Sequence, residues 1–202
     1  DMADKNMILS ADAEEKLLKP IDEYVGKIQA QIDELRVDGS DKVRSLKNHI
    51  AIAKEDKNLS KEEKDSIIAK DKAALEKAKA VEAANKDKVA KLIADAEGYL
   101  KEHYDSEYYS KVVASCEAEK AAENESYERV KATLKTEHEQ TLAKLSDPEE
   151  IKDEKYVYKN KLFDAQMTHE SRLQEIKDRK HDAFSHKYHL IDLLRMSKYT
   201  FM

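Results

Sequence analysis

The sequence predicts an all-α fold: an elongated antiparallel helical bundle or coiled coil of long helices. Three observations lead there. Charged residues make up 40% of the 202-residue chain, against roughly 25% in an ordinary domain, and acids and bases alternate as on solvated helix faces. Glycine occurs three times and proline twice, far below their average usage of roughly 7% and 5%. A sheet-rich or α/β fold, with its many tight turns, is thereby excluded. Apolar residues recur every three or four positions over long stretches, the period of a helix with one buried face.

Five helices follow, over residues 20–37, 41–57, 61–103, 107–145 and 148–196, in one domain spanning 1–202. Ser10 suits an N-cap for a short opening turn, with Asp12, Glu14 and Glu15 set against the helix dipole. Pro20 fits the first position of the next helix, where its missing N–H does no harm. Leu18, Ile21, Val25, Ile28, Ile32 and Leu35 then keep a strict 3-4 spacing. This is an a/d seam, with Ile28 at a d position. Asp38-Gly39-Ser40-Asp41 reads as a stop and restart, with Gly39 left-handed past the helix end and Ser40 the next cap. Val43, Leu46, Ile50 and Ala53 carry the second stripe.

Ser60-Lys61-Glu62-Glu63 is a capping box. It opens an alanine-rich stretch whose small side chains let a neighbouring helix approach closely. The sequence favours a break at 98–106, with Asp105 or Ser106 as cap. Val113, Cys116, Tyr127, Val130, Leu134, Thr141 and Leu145 form the fourth stripe. Asp147-Pro148-Glu149-Glu150 marks a joint, with Asp147 capping and Pro148 at N1. Leu162, His169, Leu173, Ile176, Ala183, Leu190 and Leu194 line the last helix. No internal repeat at a fixed period is apparent, which disfavours a solenoid.

Composition also narrows the chemistry. Gly26, Gly39 and Gly98 are too far apart for a P-loop or dinucleotide fingerprint. The net charge of −6 is spread without a basic face, so no nucleic-acid partner is expected. No run of apolar residues is long enough to span a membrane. Cys116 is the single cysteine, so no intrachain disulfide forms, which fits a reducing compartment without excluding export. Position 1 is Asp, which suits a processed mature chain of an organelle or secreted protein, or a trimmed one; localisation stays open.

No catalytic, cofactor-binding or metal-ligating set stands out. His186 and His189 share a helix face, yet one helix supplies too few ligands for a metal site. The late histidines (His169, His181, His186 and His189) read as surface or hydrogen-bonded groups that charge together near pH 6. The Glu-x-x-His pairs of di-iron bundles are absent. Cys116 on an apolar stripe reads as a small hydrophobe. Two regions are candidates for binding a partner. Tyr99, Tyr104, Tyr108 and Tyr109 cluster near the favoured break, either as a recognition patch or as bulky packing with hydroxyls in water. Phe184, Tyr188, Leu190, Ile191 and Leu194, continuing to Met196, Tyr199, Phe201 and Met202, make the C-terminal end unusually apolar. Met2, Met7, Ile8 and Leu9 do the same at the start. These ends either close the core together or dock onto a partner.

The pattern resembles spectrin-type bundles, stalk subunits and other coiled-coil spacers over the whole chain, through heptads and charge alone. The expected function is a non-enzymatic structural or scaffolding rod, without cofactor. It braces or docks other proteins through helical packing, a second copy included, as a stalk-like or accessory subunit of an assembly would. The alternative is a secreted or surface-exposed binding module of adhesin or receptor type, recognising a ligand at one end.

Overall fold

The computed structural model describes residues 8–199. Within them every regular element is helical: α1 (Ala11–Arg36), α2 (Lys42–Glu55), α3 (Lys61–His103), α4 (Ser110–Leu142) and α5 (Pro148–Tyr199), with π-helical turns at Val37–Asp41 and Tyr104–Tyr109. The all-α class read from composition is the one observed.

Local signals fix most helix starts. Ser10 Oγ accepts from the Ala13 N–H at 3.1 Å, satisfying a free donor of the first turn. The capping box is formed in both directions: Glu63 N–H donates to Ser60 Oγ at 3.1 Å, and Ser60 N–H to Glu63 Oε2 at 2.8 Å. Asp147 accepts through Oδ1 from Glu149 N–H at 3.2 Å, with Pro148 the first residue of α5.

Three punctuation marks act otherwise than the sequence suggests. Pro20 lies inside α1; α1 starts nine residues earlier, at Ala11. A mid-helix proline removes one ladder bond at a cost of about 3 kcal/mol or more, and the seam that follows it, with Ile21, Val25, Ile28 and Ile32 all buried, offsets that loss. Gly39 and Ser40 do not stop and restart the chain. Both are buried in the π-turn, and no glycine among the described residues has positive φ. Gly39 is needed for closeness: a Cβ there would stand 3.1 Å from Glu82 Cα and 3.3 Å from Asn85 Nδ2. Asn85, itself buried, donates from Nδ2 to the Leu35 carbonyl at 3.0 Å, as a displaced helical ladder permits. The break favoured at 98–106 is likewise replaced by continuous helix with a π-turn. Neither Asp105 nor Ser106 starts a helix, because Tyr104 and Tyr108 are drawn inward and buried.

The chain packs as two compact units. The first contains the described part of Asp1–Glu15 together with Ser106–Ser185; the second contains Lys16–Asp105 and the described part of His186–Met202. The second unit holds most of the core. Ile21, Val25, Ile28 and Ile32 of α1 are buried there, as are Val43, Ile50 and Ala53 of α2, Leu75, Val89, Ile93 and Leu100 of α3, and Leu190 and Leu194 of α5, with Leu18 and Leu35 at the seam's ends half-buried. Val43, Ile50, Leu75 and Ala78 form one cluster, with Leu46 and Ile68 against it. Ala78 and Ala96 are buried, the small inward residues that let helices approach. Tyr24 stacks on Tyr99 with ring centroids 3.8 Å apart.

The first unit is thinner. Between Ala118 and Ala183 no residue is fully buried, because α4 and α5 face each other there and each covers only one side of the other. The α5 stripe matches the sequence reading, with Leu162, His169, Leu173 and Ile176 half-buried and Ala183 buried. On α4 the reading needs correction. Val130 and Thr141 point outward, and His138 and Leu142 take the inward positions. Inward residues such as Cys116, Tyr127 and His138 are spaced by eleven. A repeat of eleven keeps one face of a nearly straight helix pair, where a strict heptad drifts off it.

Candidate functional site

Of the residues the sequence offers for partner binding, the structure separates two groups. Leu190, Leu194 and Tyr104 are buried in the second unit, and Tyr108 is buried in the first. Phe184 and Tyr188 remain 47% and 51% exposed, with Ile191 half-buried. Tyr109 is also half-buried and lies 6.0 Å from Phe184 between ring centroids. At the start of the chain, Leu9 N–H donates to the buried Ser115 Oγ at 2.9 Å, which fixes the entry into α1 on α4. Met2, Met7, Phe201 and Met202 lie outside the described residues.

The histidines are spread among different partners. His186 Nε2 lies 3.0 Å from Asp22 Oδ1, and the His186 and His189 rings are 6.1 Å apart. No group of three His, Cys, Asp or Glu side chains among the described residues is arranged to hold a metal ion.

Cys116 is buried against Arg179, whose Nη2 is 3.5 Å from its Sγ. The same guanidinium pairs with Glu119 Oε2 at 2.7 Å and Glu14 Oε1 at 3.1 Å. Burial pushes the Glu14 carboxyl above its ordinary range; the Arg179 charge opposes this and Glu119 reinforces it. Burial raises the Cys116 thiol as well, against the same opposing guanidinium. A thiol held protonated is a poor nucleophile. The node is a clamp: one cation from α5 ties the first turn of α1 to α4.

Further along the α4/α5 pair lie two matched constellations. His169 is 3.2 Å from Glu123 and stacks on Tyr127 with centroids 4.1 Å apart and planes 8° from parallel. His138 is 3.0 Å from Glu154 and stacks on Tyr158 at 4.0 Å and 7°. These imidazoles and carboxylates are only 12–20% exposed. Each member of the second set, Glu154, Tyr158 and His169, lies 31 residues after its counterpart Glu123, Tyr127 and His138. A local two-fold therefore exchanges the helices, each histidine reaching the Glu and Tyr of the other strand of the hairpin. The sequence carries this signal as a doubled Tyr-x10-His-Glu-x2-Leu, from Tyr127 to Leu142 and from Tyr158 to Leu173. Two copies separated by a turn escape a search for a solenoid period. Chemically the pairs are clips: each joins a stacked apolar ring face to a hydrogen-bonded edge, in a seam with few aliphatic side chains.

The family model of the ABC transporter permease MglC, N-terminal domain, matches residues 10–202. No curated protein and no solved structure matches the chain significantly. The match covers nearly all of the chain, and the chain belongs to that family.

Proposed function

We propose, from membership in this family of permease N-terminal domains, that the chain is a non-enzymatic docking domain of an ABC transporter permease protein: a helical brace that holds other parts of the assembly. The observation that carries the reading is a pairing of two facts. The family description names a permease, yet no described helix is long and apolar enough to cross a membrane. A permease must have apolar spans of about 20 residues, so in this reading the spans belong to other parts of the assembly and this domain works beside them. The clamp at Arg179 and the two His–Tyr–Glu clips support the same role, since they fix helices to one another and present no activated nucleophile.

The test is deletion of the segment encoding residues 10–202 from the parent gene, followed by measuring assembled transporter and uptake per assembled complex. A docking domain predicts a fall in assembled complex with uptake per complex unchanged. Assembly at the parental level would defeat the proposal, and so would full assembly with lost turnover.

A further inference from the structure

The two His–Tyr–Glu clips on the α4/α5 pair are exchanged by one local two-fold, so each shows what the other could hold. They differ at the second carboxylate oxygen. At the His169 clip, Arg172 Nη1 donates to Glu123 Oε2 at 3.4 Å. The residue 31 positions before Arg172 is Thr141, whose short side chain donates back to the Glu137 carbonyl at 2.9 Å. Among the described residues, the one partner of Glu154 is the His138 imidazole. The two-fold carries the Arg172 guanidinium onto the space between Thr141 and Glu154. That space is a cavity of about 290 Å³, lined also by His138 and Tyr158. It lies wholly within the first unit.

We propose that this cavity is a binding site for a small guanidino acid, with the ligand's guanidinium seated on Glu154 as Arg172 is seated on Glu123. A planar guanidinium presents a fork of N–H donors that matches a carboxylate edge. The Glu154 side chain is only 20% exposed, so salt screens such a pair less than on an open face. The remaining charges decide the other end of the ligand. Lys144 and Lys161 line the cavity without an ion pair among the described residues, and Glu137 lines it too. Two acids and two bases favour neither a lone cation nor a lone anion, whereas a ligand with one charge at each end gains at both. The twin differs here as well, with Glu175 at the position of Lys144 and Val130 at that of Lys161. A preference for the carboxylate therefore belongs to the His138 site. At about 30 Å³ for a water-sized group the cavity suits roughly ten non-hydrogen atoms, the size of 4-guanidinobutyrate. The proposal is independent of the transporter reading, because it rests on the α4/α5 pair alone.

The test is titration of the isotope-labelled 202-residue chain with 4-guanidinobutyrate at low salt, read by NMR at the His138 and His169 rings. A saturable shift at His138 is expected, with a dissociation constant of about 1–10 mM because partly exposed ion pairs are weak; His169 should not move. Methylguanidinium should bind several-fold more weakly, and butyrate should not bind. Thr141→Arg, at an exposed position, places a guanidinium on the chain itself and should weaken the ligand by about tenfold or more. Arg172→Thr, also at an exposed position, should open the twin. His169 should then respond to methylguanidinium, with no gain from a carboxylate, since Glu175 stands where Lys144 would. Circular dichroism checks that both variants keep the helical fold. A silent His138, butyrate binding as well as the guanidino acid, or binding indifferent to Thr141→Arg would each overturn the proposal. A His169 still silent to methylguanidinium in Arg172→Thr would refute the reading of one clip from the other.

Discussion

The three glycines offer one substitution with opposite signs, Gly→Ala at positions 26, 39 and 98, all in the second unit. Gly26 and Gly98 sit in helices with nothing within 4 Å of an added Cβ. Alanine there restricts the unfolded chain and adds helix propensity, so each change should stabilise by about 0.5–1 kcal/mol. At Gly39 the same methyl would meet Glu82 Cα at 3.1 Å and Asn85 Nδ2 at 3.3 Å. The amide can turn only by straining its bond to the Leu35 carbonyl, and a Cα cannot turn at all without moving α3. Overpacking of this kind costs about 1–3 kcal/mol, which outweighs the propensity gain. Gly39→Ala should therefore destabilise by about 1 kcal/mol net, and Gly39→Val by more. Urea unfolding followed by circular dichroism reads the difference as a shift in midpoint at constant slope. Stabilisation of Gly39→Ala to the same extent as Gly26→Ala would show that helix contact at the π-turn is loose, and the account of why Gly39 stands there would fail.

Four further outcomes are expected. Ile28→Asp puts a carboxylate into the buried α1 seam and should cost about 4 kcal/mol or more, read as a lowered melting point; an unchanged melt would mean the seam faces water. Leu194→Ala, at a fully buried position, should cost about 2–5 kcal/mol, whereas Met196→Ala, at an exposed one, should stay within about 0.5 kcal/mol. His138→Ala and His169→Ala should lose stability equally, about 1 kcal/mol each from stacking and hydrogen bonding; a large inequality would break the two-fold relation. Titration supplies the fourth. The folded state holds the Glu14 proton more tightly than the unfolded chain, so its ionisation works against folding at neutral pH. That handicap should fade as pH falls through the raised folded value toward the ordinary carboxylate range, and Glu14→Gln should show no such change across the same window.

The sequence by itself determined the helices and several of their ends. Ser60 and Glu63 sit three residues apart and cap one turn whatever lies around them; Pro148 after Asp147 opens α5 for the same local reason. The seam from Ile21 to Ile32 was also legible, since a 3-4 spacing that tight leaves one face to bury. Tertiary structure decided the rest. Gly39 and the tyrosines from Tyr104 onward carry local signals for stopping, and both stretches stay helical because a neighbouring helix or a buried pocket for the ring outweighs a cap. Pro20 is overridden by the seam beyond it. On α4 the choice of His138 over Thr141 depended on what α5 presents opposite, and only the pairing of His138 with Glu154 and Tyr158 turns a polar residue inward. The clamp of Arg179 on Glu14 and Glu119 joins groups far apart in sequence. Propensity and spacing act over a turn or two of chain, whereas the partners of a buried charge or ring are set by which helices meet, and that is a property of the packed fold.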